Sequence, residues 1–183
     1  MAKRYPEIEP RLQAFIERQP VFFVATAAPT GHINLSPKGL DTLRVLGPQR
    51  VLWLNLTGSG NETAAHLLDD DRMTLMFCSF DAEPKILRVY GHARVLHPRD
   101  PRWTELSGMF PAHPGARQLI DLAVDLVQTS CGFGVPLFAT AGERGMLKEW
   151  TEKKAAGGIE HYWASRNAVS IDGKPTGVID LGD

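Results

Sequence analysis

The segment NLTGSGNETAAHL, residues 55–67, concentrates groups that could bind an anion. Its hydroxyl and amide side chains are those of Asn55, Thr57, Ser59, Asn61 and Thr63. Each of them can donate a hydrogen bond to a phosphate oxygen. Gly58 and Gly60 permit backbone conformations that turn successive N–H groups into one concavity. A helix that begins near Asn61 would add the positive end of its dipole, which favours an anion by about 0.3–1 kcal/mol.

The same segment is equally typical of an ordinary strand-to-helix connection in which Asn61 is the helix N-cap. It is not a P-loop, because no lysine follows the second glycine. The segment alone therefore leaves two interpretations open, a phosphate site and a structural turn.

Two cations on predicted strands of the same barrel favour the phosphate site. Lys38, in SPKG, and Arg88, in ILRVYG, each interrupt an otherwise apolar strand or hairpin, where a charge needs a partner. Exposure at a strand edge would explain either one singly. If both lie beside the hydroxyl-rich segment, Arg88 is suited to bidentate phosphate contact and Lys38 acts as a point charge.

The cysteines and histidines indicate no metal site. The six histidines are scattered without the spacing of metal ligands. Cys131, in the glycine-rich SCGFGVP, is interpreted as a packing residue or as a contact to a cofactor ring, with a nucleophilic or redox-sensing thiolate as the weaker alternatives. Cys78, in LMFCSF, is predicted to be in the core. His66 lies on the helix at the end of the segment, where it either approaches the ligand or has a capping or solvated position.

The apolar pattern predicts a small β-barrel that positions these groups. A short helix is predicted at residues 10–18, and strands at residues 21–28, 33–39, 50–57, 72–80 and 85–96. The nearly continuous apolar run at 72–80 predicts burial on both faces of that strand. Residues 141–158 predict a helix with Met146 facing inward. Gly91 inside the last of these strands predicts a bulge or tight bend. Residues 118–129 fit a strand and a helix equally, and we favour the strand because five strands close a barrel poorly.

Length and charge restrict the function classes. The 183 residues suit one domain, residues 1–183, with a barrel core at about 20–131 and a helical carboxyl-terminal extension at about 140–183. The formal net charge of −1 gives no global basic field, so we expect no nucleic acid partner. No secretory signal and no membrane span are recognised, and we expect a cytoplasmic protein with reduced thiols.

The order of three stretches resembles the pyridoxamine 5′-phosphate oxidase-like family, the FMN-binding split barrels. These stretches are VFFVATAAPTGHINLSPKG, VLWLNLTGSGNETAAHL and RMTLMFCSFDAEPKILRVYGHARVL. The similarity covers roughly residues 11–96. The tail from QTSCGFGVP through NAVSIDGKPTG resembles that of an uncharacterised branch of the family.

The resemblance implies a mainly β fold with flanking helices, a six-stranded antiparallel Greek-key split β-barrel. It further implies a homodimer with FMN in two clefts between the subunits. Lys38 and Arg88 would face the phosphate, residues 55–63 would hold phosphate and ribityl chain, and Ser36 would lie along the isoalloxazine ring. Where true oxidases of the family carry a lysine this chain has Thr63, and their carboxyl-terminal Arg and Trp pattern is not recognisable. Vitamin B6 oxidation is therefore not expected.

Three functions follow as hypotheses. The first is an FMN-dependent oxidoreductase that moves a hydride or electrons between a reductant such as NAD(P)H and a small organic acceptor. The second is a flavin-binding protein without turnover, a store or sensor. The third is a split barrel that binds haem or the deazaflavin F420 instead. No catalytic residue is assigned, because the flavin itself carries the electrons.

Overall fold

The computed structural model describes residues 2–154 and 156–179. Its strands are β1 (Lys3–Tyr5), β2 (Phe22–Thr26), β3 (Asn34–Lys38), β4 (Leu43–Gly47), β5 (Arg50–Leu56), β6 (Arg72–Cys78), β7 (Lys85–Leu96) and β8 (Ala116–Cys131). Its helices are α1 (Pro10–Glu17), α2 (Glu62–Asp69), α3 (Trp103–Ser107), α4 (Met146–Glu152), α5 (Gly158–Tyr162) and a π-helical turn (Trp163–Asn167).

The strands form one antiparallel sheet that curls without closing. Its order is β3-β2-β6-β7-β8-β5-β4, and β1 pairs with β8. Both β3 and β4 are end strands, so a gap remains between the two ends of the sheet. This arrangement confirms the predicted split β-barrel. The described residues hold eight strands rather than six, because β1 and β4 were not predicted from the sequence.

Aromatic side chains fill the barrel interior. Trp53 of β5 is 1% exposed, as its place in the strand predicts. The ring of Phe22 meets Trp53 edge-on with centroids 6.2 Å apart and stacks on Phe77 at 5.9 Å. A second apolar cluster covers the opposite face of β5, so this strand is buried on both sides. By contrast β6, which we predicted to be buried on both faces, alternates between buried and half-buried residues.

The strand interpretation of residues 118–129 is confirmed, since they lie within β8. This strand of 16 residues pairs with β1, β5 and β7. Gly91 of β7 lies at a shift in the β7–β8 register, as predicted. A Cβ on Gly91 would lie 1.9 Å from the carbonyl oxygen of Ala123, so the close approach of the two strands requires glycine.

The carboxyl-terminal extension is less helical than predicted. The helix expected over residues 141–158 is limited to α4, where Met146 is exposed rather than inward-facing. Residues 155 and 180–183 of the predicted extension lie outside the described residues. Within those described, no helix is both long and apolar enough to cross a membrane.

Candidate functional site

A cavity of about 480 Å³ lies in the gap of the barrel. One wall is the edge strand β3, and the facing wall comes from β5, residues 58–61 and the first turns of α2. Much of the hydroxyl-rich segment at residues 55–67 therefore lies at the cavity, and so do six of the nine residues predicted to bind a cofactor. These six are Ser36, Lys38, Asn55, Ser59, Asn61 and Thr63.

Asn61 precedes α2 but does not cap it with its side chain. Its Oδ1 accepts a hydrogen bond from Asn55 Nδ2 at 3.3 Å, and its own Nδ2 has no partner within the described chain. Asn55 Nδ2 also donates to Gln118 Oε1 at 3.3 Å. The structural-turn interpretation is therefore correct for the position of Asn61 but not for its hydrogen bond. The first N–H groups of α2 are left without this cap and can bind an anion.

The glycines of the segment are not required by a left-handed backbone. Neither Gly58 nor Gly60 is among the described glycines with positive φ. A Cβ on Gly60 would lie 3.0 Å from Glu62 Oε1, a close contact that a small movement of the Glu62 side chain would relieve. The carboxylate of Glu62 is turned to the backbone N–H of Ile171, which donates to its oxygens at 3.1 and 3.2 Å.

Lys38 points from β3 into the cavity. Its ammonium lies 5.2 Å from the centroid of the Trp53 ring, a cation–π contact. Burial and, to a lesser extent, the charge of Arg117 lower the pKa of Lys38 from 10.5 to about 8. No carboxylate of the described residues is placed to oppose these two effects. Lys38 is thus a half-buried cation without an opposing anion among the described residues.

Arg117, at the start of β8, is the second cation of the cavity, and it was not predicted as a site residue from the sequence. It is 2% exposed, and burial lowers its pKa from 12.5 to about 10. Its Nη1 donates to the carbonyl oxygen of Gly60 at 3.1 Å and to Asn167 Oδ1 at 2.6 Å, while its Nε has no partner in the described residues. One signal was present: like Lys38, Arg117 is a cation at one end of an apolar strand.

Of the remaining polar residues, some line the cavity and others form hydrogen bonds within the protein. The hydroxyl of Thr63 accepts a hydrogen bond from Asn34 Nδ2 at 3.1 Å at the cavity wall. Thr57 does not line this cavity. Its hydroxyl donates a hydrogen bond to the carbonyl oxygen of Gly115 at 2.9 Å and accepts one from Trp163 Nε1 at 2.8 Å. The hydroxyl therefore already has both a donor and an acceptor partner within the protein. His66 lines the cavity, with Nδ1 3.1 Å from Thr26 Oγ1 and Nε2 unpartnered in the described chain.

Arg88 and Cys131 lie away from the cavity of their own chain. Because Leu87 and Val89 are fully buried inside the barrel, alternation along β7 places Arg88 on the outer face. There its Nη1 lies 3.4 Å from Ser130 Oγ. Cys131 is exposed at the end of β8. The predicted pair of Lys38 and Arg88 is therefore not formed within one chain, and Arg117 takes the place beside Lys38.

The described residues contain no cluster of three or more histidine, cysteine, aspartate or glutamate side chains that could hold a metal ion. The cavity lining combines hydrogen-bond donors with the cations Lys38 and Arg117 and the carboxylate of Glu62.

Fold and site together define an open antiparallel barrel with an anion-receptive cavity in its gap. The family model described as pyridoxamine 5′-phosphate oxidase matches residues 8–131. The chain is also 38% identical to the pyridoxamine 5′-phosphate oxidase family protein ustO of Aspergillus flavus, over 93% of this chain and 76% of that protein. The chain belongs to the pyridoxamine 5′-phosphate oxidase family.

Solved structures share the fold at low sequence identity. A Lactobacillus delbrueckii protein described as a candidate pyridoxamine 5′-phosphate oxidase has a TM-score of 0.54 and 18% identity, over 67% of this chain and 94% of that one. A variant of HupZ from Group A Streptococcus has a TM-score of 0.53 and 18% identity, over 67% of this chain and 99% of that one. At such identities the similarity concerns the fold alone.

Proposed function

We propose that the chain binds FMN in the cavity of the barrel gap and acts as a flavin-dependent oxidoreductase. One observation carries the proposal. Lys38 and Arg117 both line one cavity, burial lowers the pKa of each, and no carboxylate of the described residues counters that effect on either of them. Buried charges without partners are costly, so a site that keeps two of them is suited to an anionic ligand.

The donor set fits the terminal phosphate of FMN. Lys38 and Arg117 would oppose its charge, and the uncapped first turn of α2 together with Ser59 and Thr63 would donate to its oxygens. The amides of Asn34 and Asn55 and the hydroxyl of Ser36 line the rest of the cavity and would hold the polar parts of the flavin. When bound, FMN supplies the hydride or electron transfer, and the chain binds and orients it.

The proposed reductant is NAD(P)H and the proposed acceptor a small organic molecule. Pyridoxamine 5′-phosphate is not the substrate that we propose, because Thr63 stands where the resemblance implies a lysine in true oxidases. A flavin store or sensor would share the same cavity, and only turnover separates the two functions.

Anaerobic addition of NAD(P)H to the FMN-loaded protein should bleach the flavin absorbance. A flavin that stays oxidised would assign the chain to the storage or sensing class.

The role of the phosphate gives the direct test of the proposal. Purified protein titrated with FMN and with riboflavin should bind FMN at least tenfold more tightly, because hydrogen bonds to charged groups contribute roughly 1.5–3 kcal/mol each. Fluorescence quenching of the flavin measures both affinities, and inorganic phosphate should compete with FMN. Equal affinities for FMN and riboflavin would refute the assignment of this cavity, and a Soret band after haem addition would favour the haem hypothesis.

We further propose that two chains form a homodimer and complete each site across their interface. Ile33 and Leu35 at the cavity rim are 78% and 64% exposed, and Arg88 is available on the outer face of the barrel. Light scattering should give the mass of a dimer. Arg88→Ala should weaken FMN binding several-fold although Arg88 lies outside the cavity of its own chain. A monomer that binds FMN, with an Arg88→Ala variant of unchanged affinity, would contradict the shared site.

A further inference from the structure

We infer that Asn167, in the carboxyl-terminal extension, is the positioning residue that holds Arg117 and the loop of residues 58–60 in their anion-binding arrangement. The inference rests on the proposed function, since it concerns how the same cavity is built. Asn167 lies beyond residues 8–131, the part of the chain that the family model matches. Neither composition nor spacing singles it out in the sequence.

The amide of Asn167 joins the cation to the loop. Its Oδ1 accepts a hydrogen bond from Arg117 Nη1 at 2.6 Å, and its Nδ2 donates to the carbonyl oxygen of Gly58 at 3.1 Å. Arg117 Nη1 also donates to the carbonyl oxygen of Gly60 at 3.1 Å. The two loop carbonyls on either side of Ser59 are therefore fixed by one connected pair of side chains. Asn167 is fully buried, so water does not substitute for either bond.

The side chain of Asn167 is uncharged, and this affects the charge of the cavity. An aspartate at this position would form an ion pair with Arg117 and cancel the charge that the cavity offers to a ligand. An apolar side chain would leave both the guanidinium and the Gly58 carbonyl short of a partner. An amide orients the guanidinium of Arg117 and donates a hydrogen bond to the Gly58 carbonyl. It leaves the positive charge available to an external anion.

The extension holds Asn167 in place by contacts of its own. The residue ends the π-helical turn, and its carbonyl oxygen accepts a hydrogen bond from Thr176 Oγ1 at 2.6 Å. At the start of the same turn, Trp163 Nε1 donates to Thr57 Oγ1 at 2.8 Å. Thr57 immediately precedes the loop. The π-helical turn is thus attached to the loop at both of its ends.

The test compares Asn167→Asp and Asn167→Ala with the wild-type chain. A role in stability alone predicts that anion affinity and thermal stability fall together. The positioning role predicts that anion affinity and thermal stability separate. Asn167→Asp should lose about tenfold or more in affinity for FMN and for inorganic phosphate. It should nevertheless unfold at a higher temperature than Asn167→Ala, because its carboxylate pairs with Arg117. Ser165→Asp is the matched control, since it adds the same charge at an exposed position of the same turn.

The outcomes distinguish this inference from the proposed function. Wild-type protein that binds FMN, with an Asn167→Asp variant of equal affinity, overturns the inference and leaves the function standing. Wild-type protein that binds phosphate but no flavin, with phosphate affinity lost in Asn167→Asp, refutes the function and supports the inference. A wild-type chain that binds neither ligand overturns both. An equal loss of affinity in Ser165→Asp also overturns the inference, because it would reflect net charge rather than position.

Discussion

Replacing Lys38 with methionine should stabilise the free protein and at the same time weaken its binding of FMN. Methionine keeps the apolar stem against Trp53 and removes a buried charge that has no carboxylate partner in the described residues. The pKa difference between 10.5 and about 8 corresponds to a gain of roughly 3 kcal/mol in the free energy of unfolding at pH 7. The affinity for FMN should fall by about 10- to 100-fold, the equivalent of one lost charged hydrogen bond.

Urea unfolding of the free protein and fluorescence titration with FMN measure the two effects. Lys85→Met is a matched control. Its ammonium also lies against an aromatic ring, that of Phe15 at 4.9 Å, but it is paired with Glu83. This control should gain no stability and keep its affinity. A Lys38→Met variant that is less stable than the wild type would show that Lys38 already has a partner, and the main support for the anion site would be lost.

The stability cost of Lys38 should decrease as the pH rises from about 8 towards 10.5. Below pH 8 the lysine is charged in both the folded and the unfolded chain, and the folded state bears the full cost of burying it. Between pH 8 and 10.5 the folded chain has released this proton and the unfolded chain has kept it, so the free energy of unfolding rises with pH. FMN binding should weaken over the same range, because an uncharged Lys38 no longer opposes the phosphate.

Unfolding of the wild type and of Lys38→Met, measured at intervals from pH 7 to pH 10, isolates this effect. The thiol of Cys78, whose pKa is raised by burial, favours the unfolded chain as the pH rises, but it does so in both proteins and cancels in the difference. The stability difference should be largest at pH 7 and should fall to about a quarter of that value at pH 10. A difference that stays constant over this range would mean that the pKa of Lys38 is not lowered.

The sequence predicted the barrel and most of the cavity because those features depend on local patterns. Alternation and short apolar runs gave β2, β3 and β5 to β8, and the hydroxyl-rich bend is contiguous in the chain. Arg117 and Asn167 escaped prediction because their roles depend on contacts across the fold. Arg117 reaches Gly60, 57 residues away, through the register of β5 with β8, and Asn167 reaches Gly58 across 109 residues.

Arg88 illustrates the opposite error. Its residue type suits phosphate, and it lies on a strand of the right barrel, yet the face to which it points depends on register. Leu87 and Val89 fill the interior on either side of it, and a single-residue offset in that alternation would have reversed the result. Residue type and strand assignment can therefore be predicted from the sequence here, whereas membership of one cavity requires the fold.

The edge position of β3 has a consequence for how a ligand enters and leaves. Among the described residues this strand forms its ladder with β2 alone, and it carries Asn34, Ser36 and Lys38 on the side that faces the cavity. A strand held on one side can peel away for its five residues while the other strands of the barrel stay paired. The entrance to the cavity is thus bordered by a strand that can open locally, and release of a tightly held ligand would not require global unfolding.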